Sequence, residues 1–219
     1  NESGSQNMTT LAVAGKSVTV PLIEGHAATR ARWAANLTTF SNEDRLKEEG
    51  PPYCEIMFNA TAEGKLEHRL WEHVRSRGYG PWVSVTTSEK GSYRQADVLA
   101  FLERHLPKVD EHQPRRWRII MADDYSAHLS PAVFALCWSR RYVFIPHGGG
   151  VTPVAQTPDT DLNQHVKREY TDRETGDLLR QMRDGIVVPQ LRQEECIDIV
   201  VDVLSNMELH LNAAKGFLR

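Results

Sequence analysis

The chain has 219 residues, 40% hydrophobic and 25% charged, with a formal net charge of −3. Those values suit one folded domain, or one domain with an appendage, and exclude a disordered, collagenous or low-complexity chain. The acidic balance argues against a dedicated nucleic-acid coat, although it leaves room for an enzyme with a local basic groove. No run approaches the roughly 20 apolar residues of a membrane helix.

The elements follow in chain order. Residues 17–23 (Ser-Val-Thr-Val-Pro-Leu-Ile) read as a short extended segment, and 33–41 as a strand. Residues 42–52 are charged and end in Gly50-Pro51-Pro52, a loop signal. Residues 53–60 make a strand. Leu66, Leu70 and Val74 place one apolar face on a helix over 65–77, which Gly78-Tyr79-Gly80-Pro81 ends. Trp82 to Thr86 is strand-like. Ala96, Leu99, Leu102 and Leu106 share a face of a helix over 92–106, closed by Pro107.

The second half alternates more regularly. Residues 117–122 are a compact apolar strand that stops at Asp123-Asp124. Ser130-Pro131 opens a helix, serine as cap and proline at the first position. Tyr142 to Ile145 is a buried strand, followed by Pro146-His147-Gly148-Gly149-Gly150. Leu162, Val166 and Tyr170 mark a helix from about 160 to 172, and Cys196, Val200, Val203, Met207 and Leu211 mark one over 193–214. This order predicts an α/β fold with a mixed sheet, antiparallel first and parallel later. Three cysteines, Cys54, Cys137 and Cys196, lie far apart among apolar neighbours, so buried thiols are expected rather than disulfides or a cysteine zinc site.

The chemistry concentrates in residues 117–170. A strand delivers Asp123 and Asp124 at its carboxyl end, the edge where α/β sheets bind ligands. Asp159 opens a later helix, and carboxylates so placed can converge on a hard cation such as Mg²⁺. Paired ions can activate a water and stabilise a leaving oxygen in phosphodiester cleavage. Each residue also has a plainer role: Asp159 as a helix cap, Asp123 and Asp124 as a solvated strand-end turn, and His128 as a structural backbone partner. His147 and its glycines resemble an esterase oxyanion loop, but the Gly-x-Ser-x-Gly elbow which that reading requires is absent from the sequence. Arg115, Arg116, Arg118, Arg140 and Arg141 flank the central strands and suit either phosphates or solvent. The five tryptophans are expected in or near the core, with base stacking open to one or two.

Ile119-Ile120-Met121-Ala122-Asp123-Asp124-Tyr125-Ser126-Ala127-His128 resembles the strand-Asp-Asn-x-x-x-His segment of DDE superfamily transposases and endonucleases, the pogo and mariner relatives. Ile145-Pro146-His147, Gln156-Thr157-Pro158-Asp159 and Lys167-Arg168-Glu169-Tyr170 resemble the later block of that family. The resemblance covers about 55 residues. It implies a ribonuclease H-like mixed sheet flanked by helices over 1–190, its first strand truncated, with 191–219 as a C-terminal helix packed on it. It further implies DNA cleavage and strand transfer dependent on Mg²⁺ or Mn²⁺, with Asp123 as second acid, Asp159 as third, and both as metal ligands. DNA as partner, a homo-oligomer and a nuclear location follow from the same source, while no membrane partner is expected from the lack of a long apolar run. The sequence departs from the family at the first acid, where it opens Asn1-Glu2-Ser3-Gly4, and no aspartate occurs in residues 1–40. A domesticated, catalytically inactive DNA- or protein-binding module is therefore the alternative.

Overall fold

The computed structural model describes residues 33–39, 46, 51–60, 65–89, 91–106, 117–123, 125–147, 162–186 and 191–216. The extended segment expected at 17–23, Asp124 and Asp159 lie outside the described residues, as does any first acid near Asn1. The elements are β1 (Trp33–Leu37), β2 (Cys54–Asn59), α1 (Lys65–Ser76), β3 (Val83–Ser88), α2 (Gln95–His105), β4 (Arg118–Asp123), α3 (Pro131–Ser139), β5 (Tyr142–His147), α4 (Gln164–Arg183), α5 (Gln193–Leu204) and α6 (Met207–Gly216).

Among the described residues the strands form two ladders. β1 pairs antiparallel with β2, and β2 pairs parallel with β3; β4 and β5 make a separate parallel pair. The expected change from antiparallel to parallel pairing holds, but it runs through two ladders rather than one. All five β1 residues are buried, and so are the first five of β2, which places these apolar runs inside the molecule. Proline at position 146 has no backbone N–H to give a further strand, which suits β5 to its place at the end of a ladder.

Two large clusters of buried side chains hold the layers together. In one, Trp33, Ile56 and Phe58 pack against Leu70 and Val74 of α1, Leu162, Val166 and Tyr170 at and after the start of α4, and Cys196, Val200 and Val203 of α5. Trp33 donates its indole Nε1–H to Tyr170 Oη at 3.1 Å, edge-on to that ring, and the Tyr170 hydroxyl donates to Cys196 Sγ at 3.2 Å. In the other, Ala34 and Met57 meet Val98, Phe101 and Leu102 of α2, Ile120 and Ala122 of β4, and Val133 and Cys137 of α3. Ala34 and Ile120 share one cluster, so both ladders contribute to a common core. Burying one leucine or isoleucine in such a cluster contributes about 1.5–3 kcal/mol. All three cysteines are buried and unbridged. Burial pushes the Cys137 thiol up to about 11, despite the lowering influence of Arg140, and the Cys196 thiol up to about 12.

Helix ends follow from local chemistry. Gly78, at φ +68°, closes α1: its N–H reaches Arg75 O at 3.0 Å and the Tyr79 N–H reaches Val74 O at 3.2 Å. Gly185, at φ +82°, closes α4 in the same way. Glycine adopts this left-handed geometry at the least cost. Ser130 Oγ accepts from the Val133 N–H at 3.3 Å and Pro131 is the first residue of α3, as its sequence predicts. Asp198 of α5 joins α1 by accepting from His73 Nε2 at 2.7 Å, Arg77 at 2.6 Å and Tyr79 Oη at 2.6 Å.

Three expectations shift. The helix expected over 193–214 is two helices, broken at Ser205-Asn206. Asn206 Oδ1 accepts from the Glu208 N–H at 3.1 Å, so asparagine starts a new helix instead of continuing the old one. The helix expected to end near 172 continues to Arg183 as α4. On α2 the buried face is Val98, Phe101, Leu102 and His105, whereas Ala96 is exposed. Among the described residues, no helix is long and apolar enough to cross a membrane.

Candidate functional site

β4 and β5 are parallel and in register, from Arg118 opposite Tyr142 to Asp123 opposite His147. Parallel neighbours lie about 4.8 Å apart, so the last residues of these two strands are adjacent at the carboxyl edge of the ladder. Asp123 is thus where sequence reasoning placed it, at the end of a strand whose Ile120 and Ala122 are buried. The structure brings His147 beside it, a neighbour that sequence spacing could not supply.

The chain then turns through Tyr125 to Leu129. The His128 N–H donates to Tyr125 O at 2.8 Å, and the two rings meet edge-on at 5.4 Å. His128 is fully buried, which fits the structural role expected of it. Tyr125 Oη donates to Tyr93 O at 2.7 Å, and Tyr93 Oη donates to Glu55 O at 3.0 Å. These bonds tie the turn after β4 to the loop after β3.

Between these two loops lies a cleft of about 510 Å³. It is lined by Ser88, Glu89, Ser92, Tyr93, Arg94 and Gln95 on one side and by Tyr125, Ser126 and Ala127 on the other. The cleft therefore opens at the carboxyl ends of β3 and β4, two residues along the chain from Asp123. It offers a carboxylate, a guanidinium and several hydroxyls, a lining suited to a polar, hydrogen-bonding ligand. The sequence singled out neither Glu89 nor Arg94, because they belong to a loop with no motif of its own; Tyr125 lies inside the segment that resembles the second-acid motif but carried no role there.

A second polar group is buried below β2 and β3. Glu55 is bonded by Arg104 and accepts from Ser84 Oγ at 3.2 Å; Ser84 Oγ lies 3.0 Å from His105 Nε2. Burial pushes the Glu55 carboxyl up to about 7 against the opposing pull of Arg104 and Ser84. Burial, with help from Arg104, lowers His105 to about 4. The residue types are those of a nucleophile, a base and an acid, but the carboxylate holds the serine instead of orienting the imidazole. All three side chains are buried, so the group braces β2, β3 and α2.

Hard divalent cations take oxygen ligands. Asp123 and Asp159 are carboxylates and so fit Mg²⁺ or Mn²⁺ in donor chemistry. Among the described residues, no group of three or more histidine, cysteine, aspartate or glutamate side chains is gathered as a metal cluster. Asp159 is outside that set, so its approach to Asp123 is not part of the described geometry. Compared with known proteins, the chain matches no family model, no curated protein and no solved structure.

Proposed function

We propose that this chain is a transposon-derived DDE-type endonuclease domain with a ribonuclease H-like fold, acting on DNA phosphodiesters. The observation that carries the reading is the position of Asp123. It ends a parallel β-α-β unit on the edge that borders the polar cleft, within the segment that resembles the family's second-acid motif. Asp159 supplies the third acid. Together the two carboxylates would hold Mg²⁺ or Mn²⁺, which provides Lewis-acid activation of the attacking water or hydroxyl. The residues of the chain itself bind and orient: Arg94, whose Nε donates to Asp97 at 3.3 Å, offers its remaining guanidinium N–H groups to a phosphate in the cleft, and Tyr125 fixes the turn that carries the chain away from Asp123. A homo-oligomer and a nuclear location accompany this reading.

Calorimetric titration with Mn²⁺ tests it, on the parent chain and on Asp123→Ala and Asp159→Ala. The expected result is saturable binding that each substitution abolishes, with unchanged far-ultraviolet circular dichroism. An intact fold that takes up no Mn²⁺ would overturn the metal-dependent reading. The domesticated, catalytically inactive binding module would then stand in its place.

A further inference from the structure

Two stretches far apart in sequence, Arg115-Arg116-Trp117-Arg118 and Trp138-Ser139-Arg140-Arg141, each set a tryptophan beside arginines. The fold brings both tryptophans to one place, the end of β4–β5 opposite Asp123. Their ring centroids are 4.7 Å apart at an interplanar angle of 51°. Trp117 is 46% exposed and Trp138 is 65% exposed, which is unusual for the largest apolar side chain. Arg118 follows Trp117 at the start of β4, donating to Tyr142 Oη at 2.9 Å with its guanidinium over that ring. Arg140 donates to the carbonyls of Leu102, Glu103 and Leu106 at the end of α2, which fixes its charge at this pole. Glu103 is the acid of that neighbouring helix end; residues 125–158 contain no aspartate or glutamate.

Arg141 adds a separate argument. It sits at φ +59°, in the turn between α3 and β5, where its N–H reaches Trp138 O at 3.0 Å and its own carbonyl accepts from the Arg118 N–H at 3.0 Å. Glycine or asparagine occupies this conformation at lower cost. The chain keeps a cation there instead.

We propose that Trp117 and Trp138 form a stacking platform for an unpaired base of single-stranded DNA, with Arg118 and Arg141 serving its phosphates. Exposed rings attract every base through its π-face, and flanking cations attract the backbone; together they make a strand-binding surface without sequence preference. A purely apolar partner would not account for Arg118, Arg140 and Arg141 gathered at the same end of the ladder as the tryptophans. β4 separates this surface from Asp123 by six residues, or roughly 17–20 Å, so a strand could occupy both ends of the ladder. The choice of DNA rests on the proposed function; the stacking chemistry does not.

Fluorescein-labelled (dT)20 provides the test, read by anisotropy and by quenching of tryptophan emission. The expected result is saturable, salt-sensitive binding with quenching. Trp138→Ala should weaken it about tenfold or more, and Trp138→Phe should largely restore it. Arg141→Gly should weaken binding while leaving the melting temperature equal or higher, the opposite of what a structural role would give. Absence of binding, equal affinity in Trp138→Ala, or equal displacement by heparin, which has charge but no bases, would overturn the platform. So would a loss of self-association in Trp138→Ala with DNA binding unchanged, which would make the pair a contact between copies. Mn²⁺ uptake at Asp123 is read separately, so failure of the platform and failure of the metal site are distinguishable.

Discussion

Glu55 shows how a single residue can set a pH response. Its carboxyl is nearly inaccessible, bonded to Arg104 and Ser84, and burial raises it from 4.5 to about 7. A group whose folded-state pKa exceeds its unfolded value stabilises fully below the unfolded one and loses that contribution as pH rises through the folded one. His105 moves the other way: lowered from 6.5 to about 4, it favours folding above 6.5 and loses that as pH falls through 4. Glu55→Gln isolates the first effect. Its stability relative to the parent should rise between pH 4.5 and 7 and level off above 8, with a total span of up to about 3 kcal/mol. Thermal scans across that range check it, and a flat difference would show that Glu55 does not titrate in this window. Asp198 has the opposite character. Partial burial alone would raise it, but hydrogen bonds from Tyr79, His73 and Arg77 outweigh that and hold it below the usual carboxylate range. None of these partnerships was legible in sequence, because the partners of Asp198 are more than 100 positions away.

Elements were the most legible level. Apolar spacing located α1 and the start of α4, and Ser130-Pro131 located the start of α3. The Ser130 cap is local chemistry, so its removal should act locally. Ser130→Ala should cost about 1 kcal/mol in chemical denaturation, without change in m-value. Where spacing misled, tertiary contact was the cause. Ala96 fits the periodic stripe of α2 but stays exposed, because the face turned to the core is centred on Val98, Phe101 and Leu102. The helix read over 193–214 broke because Asn206 caps the helix that follows it. A weak local preference there outweighs a continuous apolar stripe, and Met207 and Leu211 pack against Leu46 and Ala214 in a separate small cluster.

On the scale of the whole molecule, the two ladders differ in how they are supported. β2 is paired on both sides and covered on both faces; β4 and β5 pair only with each other among the described residues. Ile119, Val143 and Ile145 on one face of that pair remain exposed. A two-stranded ladder is marginal without cover. Hydrogen exchange should therefore be slowest in β2 and faster in β4–β5, with the protected amides of β4 opening at lower free energy. Uniform protection across both ladders, measured by mass spectrometry, would contradict this ranking.

The sequence by itself determined the α/β class, the buried unbridged cysteines, most strand and helix positions, and Asp123 at a strand end. These depend on short-range periodicity, caps and turn residues, which a chain displays along its own length. Tertiary structure alone decided the split into two ladders, the cleft between the loops after β3 and β4, the Glu55–Ser84–His105 brace and the meeting of Trp117 with Trp138. Each joins residues about 20 or more positions apart. Such contacts depend on how separate elements pack, and no local pattern records that.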